Sequence, residues 1–176
     1  AMQKGFYFDQ ERCVGCQSCV LACKEWNDLP PKVLGQRGPR WRQVWVFEKG
    51  SFPSFRRSFL SRACMHCSRP PCLAVCPSGA IVKRAEDGIV VVEQEKCIGC
   101  RECLSACPFG APQFGEDGRM QKCNFCLERT SQGRKPMCEL SCVGQAIHSG
   151  SMEELQEIAA QKAAHRLTRE RRTLDL

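Results

Sequence analysis

Long apolar runs are absent from this chain of 176 residues. Nothing in it approaches the roughly 18 uninterrupted apolar residues of a membrane-spanning helix, so no direct membrane insertion is expected. The opening Ala1-Met2-Gln3-Lys4-Gly5 has no charged stretch leading into an apolar one, and no secretory signal is expected either. Aromatic residues make up only 7%, while 14 Gly and 10 Pro interrupt the chain often. A glycine-rich phosphate loop, a Ser/His/Asp set and a dinucleotide fingerprint are all missing, so no substrate pocket is indicated.

Cysteine is what the chain has in excess. Sixteen of them supply about 9 points of the 43% hydrophobic fraction, leaving about 34% for ordinary apolar residues. A core that thin needs help from whatever the sulfurs bind. The basic excess, 26 Lys and Arg against 19 Asp and Glu for a net charge of +7, invites a nucleic-acid reading. Sixteen cysteines bound as thiolates to cationic metal would offset most of that excess, however. No zinc-finger helix or RNA-binding strand accompanies the charge, and no nucleic-acid partner is expected.

The cysteines fall into four groups of four with none left over. Group one is Cys13, Cys16, Cys19 and Cys23, spaced C-x2-C-x2-C-x3-C. Group two is Cys64, Cys67, Cys72 and Cys76, spaced C-x2-C-x4-C-x3-C. Group three, Cys97, Cys100, Cys103 and Cys107, repeats the first spacing and is followed by Pro108. Group four, Cys123, Cys126, Cys138 and Cys142, is spaced C-x2-C-x11-C-x3-C. Disulfides suit short secreted domains, and three cysteines within seven residues are awkward to bridge pairwise. A zinc site takes two C-x2-C knuckles from separate segments, which fits group four but not the triplets, so a zinc-binding interaction module is a distant alternative. Cubane clusters fit best, because C-x2-C-x2-C-x3-C-P is the bacterial ferredoxin run.

In such a run three sulfurs wrap one cluster, and the fourth, on the helix that follows, ligates the other cluster of a pair. Gly15 and Gly99 are expected to leave room for backbone N–H groups to approach the sulfurs. The crossed rule joins groups two and three. Cluster C takes Cys76, Cys97, Cys100 and Cys103; cluster D takes Cys64, Cys67, Cys72 and Cys107. Groups one and four pair by elimination: Cys13, Cys16, Cys19 and Cys142 for cluster A, and Cys23, Cys123, Cys126 and Cys138 for cluster B. The expected fold class is α+β: two nested bacterial ferredoxin-like 2[4Fe-4S] modules with short β-hairpins and short helices, plus a C-terminal helix. Residues 1–60 and 112–150 form the outer module, 61–111 the inserted one, and 151–176 the C-terminal helix and tail.

Local patterns agree with this plan. Strands are predicted at Phe6–Phe8, Trp41–Phe47, Phe55–Leu60, Ala80–Arg84, Ile89–Glu93, Ala111–Phe114, Arg119–Gln121 and Ala146–His148. Helices are predicted at Cys19–Trp26 and Asn124–Gln132, and an irregular insertion at 27–40. Ser151 with Glu154 makes a capping box for a last helix, striped by Leu155, Ile158, Ala159, Ala163 and Leu167. Arg169, Arg171 and Arg172 read as a solvated tail. His66, inside group two, is expected to tune that cluster through a hydrogen bond rather than ligate it. Arg62, Lys83, Lys96, Arg101 and Lys122 lie near ligands in sequence and would raise potentials if they also lie near in space. Trp26, Trp41 and Trp45 read as packing or partner-facing residues.

Several continuous strings carry a family resemblance: Gly5-Phe6-Tyr7-Phe8-Asp9, Cys13-Val14-Gly15-Cys16, Cys76-Pro77-Ser78-Gly79-Ala80, Cys97-Ile98-Gly99-Cys100-Arg101, Cys107-Pro108-Phe109-Gly110-Ala111-Pro112-Gln113 and Lys122-Cys123. From Gly5 to about Leu155 the chain resembles the four-cluster iron–sulfur subunits of molybdopterin oxidoreductases. Lys24 and Val143 depart from the pattern, standing where a proline would follow the fourth cysteine. The resemblance implies the cysteine pairing given above and an electron-transfer subunit that is not an enzyme on its own. It implies passage of electrons between a molybdenum- or tungsten-pterin catalytic subunit and a flavin subunit or quinone-linked membrane subunit, with the group-one end facing the catalytic subunit. A soluble tungsten aldehyde oxidoreductase complex is the alternative setting. Cytoplasmic localisation is expected, with periplasmic localisation by co-export alongside a catalytic partner as the alternative.

Overall fold

The computed structural model describes the backbone of residues 2–33 and 35–174 and the side chains of 2–32 and 35–168. Strand β1 (Lys4–Phe8) enters the first cysteine loop through a 3-10 turn at Gln10–Arg12, and α1 (Ser18–Trp26) leaves it. Within the predicted irregular insertion lies a small hairpin, β2 (Lys32–Val33) with β3 (Gln36–Arg37). A longer hairpin follows, β4 (Gln43–Lys49) with β5 (Arg56–Arg62), in register from Gln43 opposite Arg62 to Lys49 opposite Arg56. Next come α2 (Pro71–Ala74), β6 (Ile81–Lys83), β7 (Val90–Val92), a second 3-10 turn at Gln94–Lys96, and α3 (Glu102–Ala106). The chain continues through β8 (Gln113–Phe114), β9 (Met120–Gln121), α4 (Leu127–Thr130), α5 (Met137–Leu140), β10 (Ile147–Ser151) and α6 (Met152–Leu174). This is a mixed helix-and-strand fold, and among the described residues every sheet is two-stranded.

One pairing closes the molecule over a long stretch of chain. β1 runs antiparallel to β10, from Lys4 opposite Ser151 to Phe8 opposite Ile147, and so draws group one toward group four. In between, β6 pairs with β7, Ile81 opposite Val92. The two assemblies repeat one another. Each has a strand, a 3-10 turn, a cysteine loop and a helix preceded by a left-handed residue, Gln17 (φ 66°) before α1 and Arg101 (φ 68°) before α3. Each also has a four-residue helix preceded by proline, Pro70 before α2 and Pro136 before α5, and a strand beyond it.

Among the described residues the apolar core is divided into three small clusters, and cysteine takes part in each. Cys19, Val20, Cys138 and Ile147 pack with Phe6, Phe8 and Val44 around the β1/β10 pair. Cys72, Ile81, Val90, Cys103 and Met120 pack with Val92 and Phe114 around β6/β7. Ala63, Cys64 and Cys123 join Phe6, Trp41 and Ala111 where the halves meet. So little hydrocarbon is available that sulfur is part of the core itself.

The last two predicted helices differ in extent from the sequence reading. The helix expected over Asn124–Gln132 shrinks to Leu127–Thr130, because Phe125 (φ 64°) and Cys126 (φ 50°) are left-handed and Gly133 (φ 72°) ends the turn. The last helix is capped as expected: the Ser151 N–H donates to the Glu154 carboxylate at 2.7 Å, and the Glu154 N–H donates to Ser151 Oγ at 3.2 Å. Leu155 is buried and Ile158 and Ala159 are half-buried where α6 meets β1 and β10, but Ala163 and Leu167 are exposed. The helical backbone continues to Leu174, where a tail was expected; the side chains of Arg169, Arg171 and Arg172 lie outside the described residues. No described helix is long and apolar enough to cross a membrane.

Candidate metal centres

The fold gathers cysteines from distant groups. Cys13, Cys16 and Cys19 share the wall of a hollow with Cys142. Cys97, Cys100 and Cys103 share another with Cys76. Cys64, Cys67 and Cys72 line a third with Cys107. For the remaining four, Cys23 feels the sulfurs of Cys138 and Cys126, and Cys123 feels those of Cys23 and Cys138. In each case the fourth sulfur arrives from the partner group.

Neighbouring sets are linked. Cys19 and Cys23 lie one turn apart on α1 and face different sets. Cys103 feels Cys72 across the β6/β7 half. Cys123 feels Cys64, and the two pack in the apolar cluster between the halves.

Four loops repeat one backbone device. The residue before the second cysteine is left-handed in every group: Gly15 (φ 69°), His66 (φ 45°), Gly99 (φ 70°) and Phe125 (φ 64°). Two are not glycine, so sequence inspection missed half of the set. These turns aim amides at sulfur, with His66 N donating to Cys64 Sγ at 3.5 Å and Phe125 N to Cys123 Sγ at 3.4 Å. At Gly15 a Cβ would fall 2.3 Å from the Phe59 ring, and at Gly99 2.7 Å from the Gly118 carbonyl oxygen. Neighbouring protein, together with positive φ, is therefore what these positions must accommodate.

A second device serves the fourth cysteine. The N–H of an alanine four residues on donates to Cys107 (Ala111, 3.5 Å) and Cys142 (Ala146, 3.2 Å), and Ala80 does the same for Cys76. Cys23 is the exception. There α1 continues to Trp26, which explains why Lys24 stands in place of a proline. Lys24 Nζ instead ties the insertion down, donating to the carbonyls of Pro30 (2.9 Å) and Pro39 (3.1 Å). The Arg42 backbone N–H faces the Cys23 sulfur in place of the alanine.

Burial governs the thiols. Burial first, and then the Cys138 sulfur, push Cys23 up to about 12; burial, then Cys100 and Cys72, push Cys103 up to about 11. Such sulfurs ionise together only around a compensating positive core. Cys16 is lowered instead, by the Ser18 hydroxyl and then the Ser18 N–H.

The predicted cations separate into two kinds. Lys122 is buried, donating to the carbonyls of Val90 and Cys123. Lys83 reaches the carbonyl of Cys67 at 3.1 Å and Gln3 Oε1 at 2.6 Å. Arg101 lines the Cys97 hollow and lies 5.0 Å from the Phe114 ring. Lys96 is an exposed partner of Glu93, and Arg62 rests 6.0 Å from the Trp45 ring. His66 is buried and neutral, held down by burial and then by Lys122 and Lys83; its Nδ1 accepts from the Val90 N–H at 3.1 Å, so its proton sits on Nε2. It meets its neighbouring sulfur through the backbone, not through the ring. Trp41 packs between the halves, whereas Trp26 and Trp45 are partly exposed.

Sequence reasoning missed Arg42 altogether. It is 3% exposed, and burial opposes its charge, but the sulfurs of Cys138, Cys123, Cys19 and Cys23 outweigh that and raise its pKa. No local pattern marks it, since it lies in the cysteine-free stretch between groups one and two.

Two observations test the fit of iron–sulfur clusters. Among the described residues, no three His, Cys, Asp or Glu side chains close on a point as a single ion requires; the sulfurs line spaces instead. Buried donors also lack protein partners, namely Trp41 Nε1, Arg42 Nε, Arg42 Nη2 and His66 Nε2. Donor-rich surroundings suit an acceptor-rich, anionic group. The residues fit.

A family model described as a 4Fe-4S dicluster domain matches residues 55–152, and one described as a 4Fe-4S binding domain matches residues 4–25. The chain is 44% identical over 164 residues to the B component of the anaerobic dimethyl sulfoxide reductase of Escherichia coli, covering 88% of this chain and 77% of that one. The B component of the sulfite dehydrogenase of Allochromatium vinosum is 37% identical over 168 residues, covering 86% and 70%. The iron-sulfur subunit of the nitrate-inducible formate dehydrogenase of Escherichia coli is 35% identical over 167 residues, covering 89% and 57%. These relatives lend no support to the tungsten aldehyde oxidoreductase alternative. The chain belongs to the family of 4Fe-4S dicluster electron-transfer subunits of molybdopterin oxidoreductases.

Proposed function

We propose that the sixteen cysteines hold four [4Fe-4S] clusters: A on Cys13, Cys16, Cys19 and Cys142; B on Cys23, Cys123, Cys126 and Cys138; C on Cys76, Cys97, Cys100 and Cys103; D on Cys64, Cys67, Cys72 and Cys107. The clusters occupy two nested ferredoxin-like modules, residues 1–60 with 112–150 around 61–111. The single observation that carries this reading is the crossed composition of the cysteine hollows. When bound, each cluster supplies one-electron chemistry at a potential set by its surroundings. The chain's residues hold the clusters by sulfur, aim backbone N–H groups at those sulfurs, and keep the interior sets away from water.

The linked cysteine sets support the order A–B–D–C. Val14 and Cys16 are exposed at the first end, and Ile98 and Cys100 at the other, which suits delivery at one end and removal at the other. The first end faces a molybdenum-pterin catalytic subunit, and the second faces a flavin- or quinone-linked partner. The chain works in the cytoplasm, or in the periplasm when a catalytic partner carries it across. Anaerobically isolated protein should contain about 16 irons and 16 labile sulfides per chain, with a brown absorption that bleaches on reduction. Zinc in place of iron, or iron at half that content, overturns the four-cluster assignment.

A further inference from the structure

Among the described residues, Arg42 is the most deeply buried arginine, and the relay leaves its role unexplained. Its Nη1 donates to Ser61 Oγ at 3.2 Å, and Ser61 Oγ lies 3.4 Å from Cys19 Sγ. Because the guanidinium can only donate, it occupies a lone pair of the hydroxyl and leaves the hydroxyl proton free. A metal-bound thiolate can only accept, so that proton points at Cys19 Sγ. The backbone N–H of Arg42 faces the sulfur of Cys23, one helical turn farther along α1. The guanidinium itself lies 4.7 Å over the Phe6 ring, and its Nε and Nη2 are buried without protein partners. One residue therefore touches the ligand sets of two neighbouring clusters by separate routes. The β6/β7 half has no arginine among its buried residues.

We propose that Arg42 is a positioning residue for clusters A and B together: its side chain orients the Ser61 hydroxyl onto Cys19, its backbone serves Cys23, and its fixed charge raises both reduction potentials. The inference rests on the four-cluster reading. Reduction adds one negative charge to a cluster, and a buried cation beside it favours that state, more strongly in a low-dielectric interior than at the surface. Removing the charge should affect A and B and spare C and D. Removing the hydroxyl should affect A alone.

The test is a redox titration followed by electron paramagnetic resonance on the full chain in its complex, with iron and sulfide counted for each variant. Arg42→Met should move the reduction equilibria of A and B about tenfold toward the oxidised form, about 59 mV for one electron, and leave C and D in place. Arg42→Lys, which keeps the charge, should recover most of that shift. Ser61→Ala should move A alone, by less than tenfold. Unchanged A and B potentials in an iron-replete Arg42→Met protein, or an equal shift of all four clusters, overturn the proposal. Should Arg42→Met fail to assemble, an A-specific shift in Ser61→Ala supports the proposal and an unmoved A in Ser61→Ala overturns it. A wild-type protein short of four clusters instead overturns the underlying assignment, so the two failures are distinguishable.

Discussion

The β1/β10 half and the β6/β7 half are built to one plan, yet they are not supported alike. In both, a strand, a 3-10 turn, a left-handed loop and a helix carry three cysteines, and a short proline-led helix returns the fourth. The first half adds a nine-residue α1 in place of the five-residue α3, the long β4/β5 hairpin, and α6 across its back. The second half is bare: its loop closes on backbone, with Gly118 O against Gly99, where the first closes on a side chain, with Phe59 against Gly15. The repeated parts are those that face sulfur. The additions buttress one half and leave the other to sulfur and a few aliphatic residues.

The largest effect that separates the halves is loss of a ligand. Cys103→Ser should cost mainly cluster C, about 4 of 16 irons, and leave the resonance signals of A and B intact. Cys19→Ser should do the converse. Loss of all four clusters from either single change would mean that the halves fold as one unit, and the comparison would break.

A smaller contrast lies in the two glycines. Gly15→Ala and Gly99→Ala each force a side chain into positive φ, costing about 1 kcal/mol, and each adds a clash worth about 1–3 kcal/mol. Thermal melts of the holoprotein should show both losses. A second change, Phe59→Ala, should return part of the loss for Gly15→Ala and none for Gly99→Ala, whose obstacle is a carbonyl oxygen.

The smallest contrast concerns the caps of the two 3-10 turns. Asp9 accepts from the N–H groups of Glu11 (3.0 Å) and Arg12 (3.3 Å) and pairs with Lys162 of α6, whereas its counterpart Glu93 makes an exposed pair with Lys96. Asp9→Ala should cost about 1–2 kcal/mol in chemical denaturation, and Glu93→Ala close to nothing. Burial raises the Asp9 carboxyl, but the Lys162 hydrogen bond and charge outweigh it and hold the group below 3.8. A depressed carboxylate contributes its full stability above the unfolded value and loses it only as the pH falls through the folded one. The Asp9→Ala deficit should therefore be flat from about pH 8 to pH 5, and a deficit that grows or shrinks across that range would assign it to another group.

The four cysteine groups are legible as groups because three of the four triplets are local in sequence, and one rule proposes how the fourth cysteines cross. Hairpins such as Ile81–Lys83 with Val90–Val92 were legible from short β-branched runs either side of the turn at Glu86-Asp87-Gly88. The short pair at Lys32–Val33 and Gln36–Arg37 was not, since Pro and Gly crowd it and two residues carry no period. The left-handed turns at His66 and Phe125 escaped notice because only glycine advertises that conformation, and the helix expected from Asn124 was shortened as a result. The meeting of Cys64 with Cys123 and the burial of Arg42 escaped for another reason. Both depend on how the two halves dock, and that is written in no single segment.

That docking has a consequence for conduction. In the β1/β10 half, adjacent sulfur sets are spanned by a continuous rod of backbone, Cys19 and Cys23 both lying on α1, so their spacing survives as long as the rod does. Across the middle the gap is maintained by side chains, with Ala63, Phe6, Trp41 and Ala111 pressed together and Lys122 tying the Val90 and Cys123 carbonyls. Loosening that seam would slow current through the wire while every cofactor stayed in its socket and the absorption spectrum stayed the same.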